Sequence, residues 1–222
     1  MHARFARGIM TSNAAFNLFV ERAHELLQAG YEALDAKACN LWSEPEISGE
    51  LASKIEQLLW TRRQPWMRYW TAMDNPPENE PDIPGSKRRL GKRRKLPDIK
   101  LKYAGQRETL FFRFEAKKLA SSGDYTELIS DKDGLGRFLR RIYGREDKAG
   151  GLLGYVQTET PEAHAARVKM ALATDPTKFR VDAKGEWAVA AWKNGPKYSF
   201  RVVHSRERAS AIVIFYSFLS FR

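Results

Sequence analysis

The sequence predicts an α/β fold: a central mixed β-sheet flanked by helices, with a helical extension at the N-terminus. Three observations predict it. Apolar residues recur at helical spacing over 12–36 and again after Ser48, and the pattern changes to period two at Pro97. Strand-like runs then return in the last third, behind two more helical segments. A chain of 222 residues, against a rough prior of ~150 per domain, is expected to form one unit over 1–222. Its parts are a helical N-terminal stretch, 11–73, a proline-rich and basic linker, 74–96, and a core, 97–222.

The first helix, 12–36, is amphipathic. Phe16, Phe19, Val20, Ala23, Leu27, Tyr31 and Leu34 share a face, and Thr11, Ser12 or Asn13 can cap its start. The second helix is expected from Ser48, with Leu51, Ile55, Leu58 and Leu59 on one stripe. The aromatic-rich stretch from Trp60 to Trp70 fits neither period. Residues 74–86 hold four of the ten prolines, so they form neither a helix nor a central strand. Beyond the linker, 97–103 and 109–117 alternate like strands around a polar turn at 105–108. Helical segments follow at 132–143 and 161–173, the second opened by Thr160 and Pro161. Strands are expected at 186–193, 198–204 and 211–221.

Composition narrows the function classes. With 43% hydrophobic and 12% aromatic residues, the chain has the material for a packed core that a disordered chain lacks. The longest apolar run, 211–219, is too short to span a bilayer. The Arg-rich first ten residues lack the apolar block of a secretory signal. The expected location is therefore cytoplasmic, with no membrane partner. A lone Cys39 excludes an internal disulfide and a cysteine-based zinc cluster.

Charge is more informative. The net charge is +11, and it is unevenly placed: −4 over 1–86, +7 over 87–95 and +8 over 96–222. Such a field attracts polyanions, of which nucleic acid is the commonest in a cell. The run KRRLGKRRK supplies Lys87, Arg88, Arg89, Lys92, Arg93, Arg94 and Lys95, immediately ahead of Asp98.

The hairpin places chemistry beside that charge. A four-residue loop at 105–108 pairs 104 with 109, 102 with 111, 100 with 113 and 98 with 115. Asp98 and Glu115 then lie directly opposed, about 5 Å apart at Cβ, with Lys117 one step further along the same face. Two like charges across a sheet repel, and a divalent cation between them reverses that penalty. The plain alternative is a solvated sheet face with Glu115 paired to a neighbouring lysine.

Pro97-Asp98 followed by Glu115-Ala116-Lys117 resembles the active site of the PD-(D/E)XK nuclease superfamily, which includes many restriction endonucleases. Residues 134–157, GLGRFLRRIYGREDKAGGLLGYVQ, are similar to the helix and GMxGYV-like segment of its restriction-type and phage-defence members. Residues 202–221, VVHSRERASAIVIFYSFLSF, are similar to their SxHxR…IxIxHxFLDF ending. His204 and Arg206 match there, while Val202, Tyr216 and Ser220 depart from the pattern. The likeness covers about 97–221. It implies a restriction-endonuclease-like core in which Asp98, Glu115 and the Ala116 carbonyl bind one or two Mg²⁺ ions, Mn²⁺ being able to substitute. By the same likeness Lys117 acts on the attacking water. Many members add an acid from the helix before the hairpin; Glu50 is the candidate, with Glu46 close behind. Glu50 also suits a plainer role, an acid near a helix N-terminus with Lys54 at i+4. His204 and Arg206 are candidates for phosphate contact, although a His at a strand end is more often structural, and Gln157 either lines the site or ends a strand.

The sequence-level expectation is a Mg²⁺-dependent endonuclease acting on DNA in restriction or antiphage defence. No phosphate-binding loop is present, because no Lys-Ser/Thr pair follows the glycines of 144–151. DNA is the expected partner; the resemblance implies a separate ATPase or helicase subunit beside it, and a second copy of the chain is a further candidate. The alternatives are a nucleic-acid-binding or partner-binding module that does not cut, and an RNA-cleaving nuclease. The basic run gives a test independent of catalysis. Replacing Arg88, Arg89, Arg93 and Arg94 by Gln should flatten the log–log salt dependence of duplex DNA binding by about two to four units. Binding of the Lys117→Ala protein between roughly 50 and 200 mM salt measures it, and an unchanged slope removes the run from the interface.

Overall fold

The structure is a computed structural model that describes residues 12–61, 64–74, 97–105, 108–144, 146–183, 185–206 and 209–222. It is an α/β fold built on one seven-stranded mixed sheet in the order β1-β2-β3-β4-β7-β6-β5. Two helices, α1 (Ser12–Glu32) and α2 (Glu44–Thr61), lead into β1 (Trp70–Asp74). The hairpin follows as β2 (Ile99–Ala104) and β3 (Thr109–Leu119), then short helices α3 (Tyr125–Leu128) and α4 (Leu135–Leu139). Next come β4 (Ala149–Val156), α5 (Pro161–Thr174), β5 (Ala188–Val189), β6 (Ser199–Arg206) and β7 (Ala209–Ser220). The β3–β4 and β4–β7 pairs are parallel and the rest antiparallel.

Each face of the sheet has its own core. On one, α1 and α2 bury Phe19, Leu26, Ile47, Leu51 and Ile55 against Ile99, Leu101, Phe112, Phe114 and Tyr155. On the other, α4 and α5 bury Phe138 and Val168 against Leu119, Leu152, Ile214 and Tyr216. The period-two alternation of β2 and β3 turns Ile99, Leu101, Phe112, Phe114 and Ala116 into the first core and leaves Lys100, Arg113 and Glu115 on the other face. No helix among the described residues is long and apolar enough to cross a membrane.

Several elements differ from the sequence reading. Helix α2 starts four residues before Ser48, because Ser43-Glu44-Pro45-Glu46 forms a cap closed by Glu46. The Glu46 carboxylate accepts both the Ser43 N–H and its hydroxyl at 2.7 Å. The end of the stretch expected to be helical is a strand, β1, which pairs with β2 in register Trp70↔Tyr103 to Asp74↔Ile99. Helix 132–143 shortens to α4, and Arg141 adopts a left-handed conformation with φ of 60°. Strand β5 is only two residues long. Helix α5 opens as expected, with the Thr160 hydroxyl accepting the Ala163 N–H at 3.1 Å. Residues 75–96, with the basic run Lys87 to Lys95, lie outside the described residues.

The central strand β4 carries no period-two signal, because helices cover both its faces and all eight residues are buried. Its glycines allow close approach. A Cβ on Gly150 would sit 2.4 Å from the Phe138 ring, and one on Gly151 would sit 2.2 Å from the Phe114 ring. Gly151→Ala should therefore cost about 1–3 kcal/mol by overpacking a filled core. Urea unfolding checks it; a loss under about 0.5 kcal/mol, of the size typical at a surface site, would mean the Phe114 ring yields freely.

Candidate active site

The hairpin has the register expected from its loop length. Ala104 pairs with Thr109, Lys102 with Phe111, Lys100 with Arg113 and Ile99 with Phe114, and the Gly105 N–H closes the turn on the Glu108 carbonyl. One step further on, Asp98 comes opposite Glu115. Strand β2 ends there, while β3 continues to Leu119. Beyond that point no strand among the described residues bonds the edge of β3 facing β2. Asp98 Oδ2 accepts the Ala116 N–H at 2.7 Å, and Glu44 Oε2 accepts the Lys118 N–H at 3.2 Å. Two carboxylates thus replace the missing strand.

Glu44, not Glu50, is the helix acid of the site. Its other oxygen accepts from Lys117 Nζ at 2.8 Å. Glu50 pairs with Lys54 one turn along α2 at 3.2 Å, the plainer of its two sequence roles, and Glu46 is spent on the cap. The signal for Glu44 was in the sequence: the Ser43-x-x-Glu46 cap makes it the first residue of α2 and aims it past the helix end. Gln157, at the end of β4, donates to the Trp42 carbonyl at 3.1 Å and ties down the approach to Glu44.

Glu115 is fully buried, so the hairpin's polar face is no solvated surface. It sits 3.4 Å from Lys117 Nζ and 2.9 Å from Arg137 Nη1, and it accepts a hydrogen bond from the Tyr143 hydroxyl at 2.9 Å. Arg137 also pairs with Asp133 at 2.9 Å. Neither Arg137 nor Tyr143 is marked by the sequence; Arg137 lies within α4 and Tyr143 in the turn beyond it.

The electrostatics follow from burial. Burial raises the Asp98 pKa to about 6, with Glu44 adding to the rise and the Ala116 N–H opposing it. Burial raises Glu115 to about 7, reinforced by Asp98 and opposed by Lys117 and Arg137. For Lys117 burial works against the charged form, but Glu115, Glu44 and Asp98 outweigh it, so its pKa is raised and the ammonium is kept. Among the described residues no group of three or more His, Cys, Asp or Glu is gathered as a metal cage. The donors that could hold a hard cation are Asp98, Glu115 and the Ala116 carbonyl. Glu115 Oε1 is buried with no hydrogen bond, an oxygen left over for such a cation.

Two expected nucleic-acid contacts are corrected. His204 is fully buried. Its Nδ1 faces the Phe179 carbonyl at 2.8 Å and must donate, so Nε2 accepts from the Tyr216 hydroxyl at 2.9 Å. Burial lowers its pKa to about 4, so it is a neutral core residue and not a phosphate ligand. Arg206 is buried as well, 7% exposed, with Nε donating to the Ser210 carbonyl at 2.9 Å. The alternation of β6 turns both inward, and Tyr216, where the motif has histidine, is the partner that fixes His204.

Comparison with family models, with curated proteins and with solved structures finds no match to this chain.

The raised carboxyl pKa of Glu115 makes a signed prediction. An acid whose folded pKa lies above its unfolded value stabilises the fold most below the unfolded pKa, about 4.3 for Glu. It loses that contribution as pH rises to about 7. The metal-free Glu115→Gln protein should therefore gain stability relative to wild type across that interval and hold its advantage above it. Urea midpoints at pH 4, 5.5, 7 and 8 measure this, and a difference that does not vary with pH would mean Glu115 titrates normally.

Proposed function

We propose that this chain is a Mg²⁺-dependent nuclease with a restriction-endonuclease-like core, hydrolysing DNA phosphodiester bonds in a restriction or antiphage system. One observation supports the reading above the others: Asp98, Glu115 and Lys117 meet at the open edge of β3, with a half-buried and a fully buried carboxylate and one oxygen lacking a hydrogen bond. Asp98, Glu115 and the Ala116 carbonyl would hold the ion, and Mn²⁺ would substitute. When bound, the ion would supply an activated water and neutralise charge on the phosphate and the leaving oxygen.

The remaining steps belong to the chain's own side chains. Lys117, kept as an ammonium, orients the water and offsets charge developing on the phosphate. Glu44 fixes Lys117 in place through the 2.8 Å contact. The basic run from Lys87 to Lys95 grips the flanking phosphates, because it lies only three residues from Asp98 along the chain. A separate ATPase or helicase subunit, and pairing with a second copy, complete the proposed setting.

Plasmid, single-stranded DNA and RNA incubated with and without Mg²⁺ or Mn²⁺ test the reading. DNA should be cut only with the divalent ion, and Asp98→Ala, Glu115→Ala and Lys117→Ala should each abolish cutting. Glu44→Gln should lower turnover about a hundredfold by loosening Lys117, while Glu50→Gln leaves it within about twofold and costs only the ~0.3–0.5 kcal/mol of its helix pair. Cutting in the presence of a chelator, or wild-type rates in Asp98→Ala, would overturn the assignment.

A further inference from the structure

The two oxygens of Glu115 have unequal surroundings. Arg137 Nη1 lies 2.9 Å from each, but only its approach to Oε2 is aligned as a hydrogen bond. The Tyr143 hydroxyl donates to the same Oε2 at 2.9 Å. Oε2 therefore takes two donors and Oε1 takes none, although Oε1 is the oxygen on the Lys117 side.

The two donors are themselves fixed. Asp133 binds the far side of the Arg137 guanidinium, accepting from Nε at 3.2 Å and from Nη2 at 2.9 Å. Arg137 also bonds the Tyr143 hydroxyl and lies over its ring, 5.6 Å from the centroid. The Tyr143 ring is fully buried and meets Phe138 edge-on at 5.6 Å. Asp133, Arg137, Tyr143 and Glu115 thus form a relay that runs from a half-exposed aspartate to a buried carboxylate, where two donors converge on one oxygen. A carboxylate held by two donors on one oxygen cannot rotate without breaking both.

We infer that Arg137 and Tyr143 are positioning residues that occupy Glu115 Oε2 and so present Oε1 as the oxygen available to a divalent cation. The inference rests on the metal-site reading above. Neither residue touches substrate; both act through Glu115, as outer partners of metal ligands do.

The test is Mn²⁺ binding by calorimetry without nucleic acid, on wild type, Tyr143→Phe, Arg137→Lys and Phe138→Leu, each with a melting curve in chelator. Tyr143→Phe keeps the ring and loses only the donor; Arg137→Lys keeps the charge and loses the planar fork. Each should raise the Mn²⁺ dissociation constant about tenfold or more. Phe138→Leu loosens the same cluster without removing a hydrogen bond from Glu115, so it should melt lower and bind Mn²⁺ as wild type does. If wild type binds and the first two variants match it within about twofold, or if Phe138→Leu weakens binding as much as they do, the positioning role is overturned and the metal site stands. If wild type binds no Mn²⁺, the metal site falls and the positioning role falls with it.

Discussion

Strand β2 begins at Ile99, and β3, its partner, runs on for five residues past the last pair. That mismatch leaves the N–H groups of Ala116 and Lys118 on a sheet edge where no strand among the described residues accepts them. A buried N–H without an acceptor costs roughly 1–3 kcal/mol, so the fold must supply acceptors there. It supplies carboxylates, Asp98 from the chain entering β2 and Glu44 from the first turn of α2. A neutral carbonyl would satisfy the same N–H groups. Carboxylates do so while adding two negative charges beside Glu115, and the rest of the site is a response to those charges.

The response is unbalanced in one direction. Glu44, Asp98 and Glu115 are offset by Lys117 and Arg137, and Arg137 is shared with Asp133. Among the described residues these acids outnumber the cations, in a place where burial already disfavours the charged carboxyl form. Burial, reinforced by the neighbouring acids, raises the carboxyl pKa values to about 6 and about 7, so the excess can be relieved by a proton or by a further cation. Proton and cation thus compete for the same surplus of charge.

Local chemistry decided how much of this was legible in the sequence. The hairpin register follows from a four-residue loop and two alternating strands, so the meeting of Asp98, Glu115 and Lys117 could be derived without coordinates. Glu44 was missed because the apolar stripe marks only where α2 starts to pack, whereas Ser43 and Glu46 mark where it starts. Strand β4 was missed because a strand buried on both faces with three glycines has no alternation to read. His204 and Arg206 were aimed outward on motif grounds, but burial patterns place both inside, where Tyr216 satisfies the histidine. Arg137 and Tyr143 lie six residues apart across a left-handed turn at Arg141. No helical or strand period relates such positions, so tertiary structure alone joins them at Glu115.

The helices that precede the hairpin are joined to the site as firmly as the strands are. The Trp42 carbonyl accepts from Gln157 Nε2 at 3.1 Å and from Lys118 Nζ at 3.5 Å, which ties the residue before the Ser43 cap to the ends of β3 and β4. One turn into α2, the buried Ser48 hydroxyl meets the Tyr155 hydroxyl at 2.9 Å. Behind both, Ile47, Leu51 and Ile55 lie fully buried in the layer that also holds Phe112 and Phe114. Glu44 is therefore placed by the packing of a whole helix face, not by its own contacts alone. Since Glu44 in turn holds Lys117, the apolar interface between α2 and the sheet reaches the candidate chemistry in two steps. A loss of core volume there should be felt as a displaced lysine before it is felt as a lost fold, because close-packed interiors transmit small shifts instead of absorbing them.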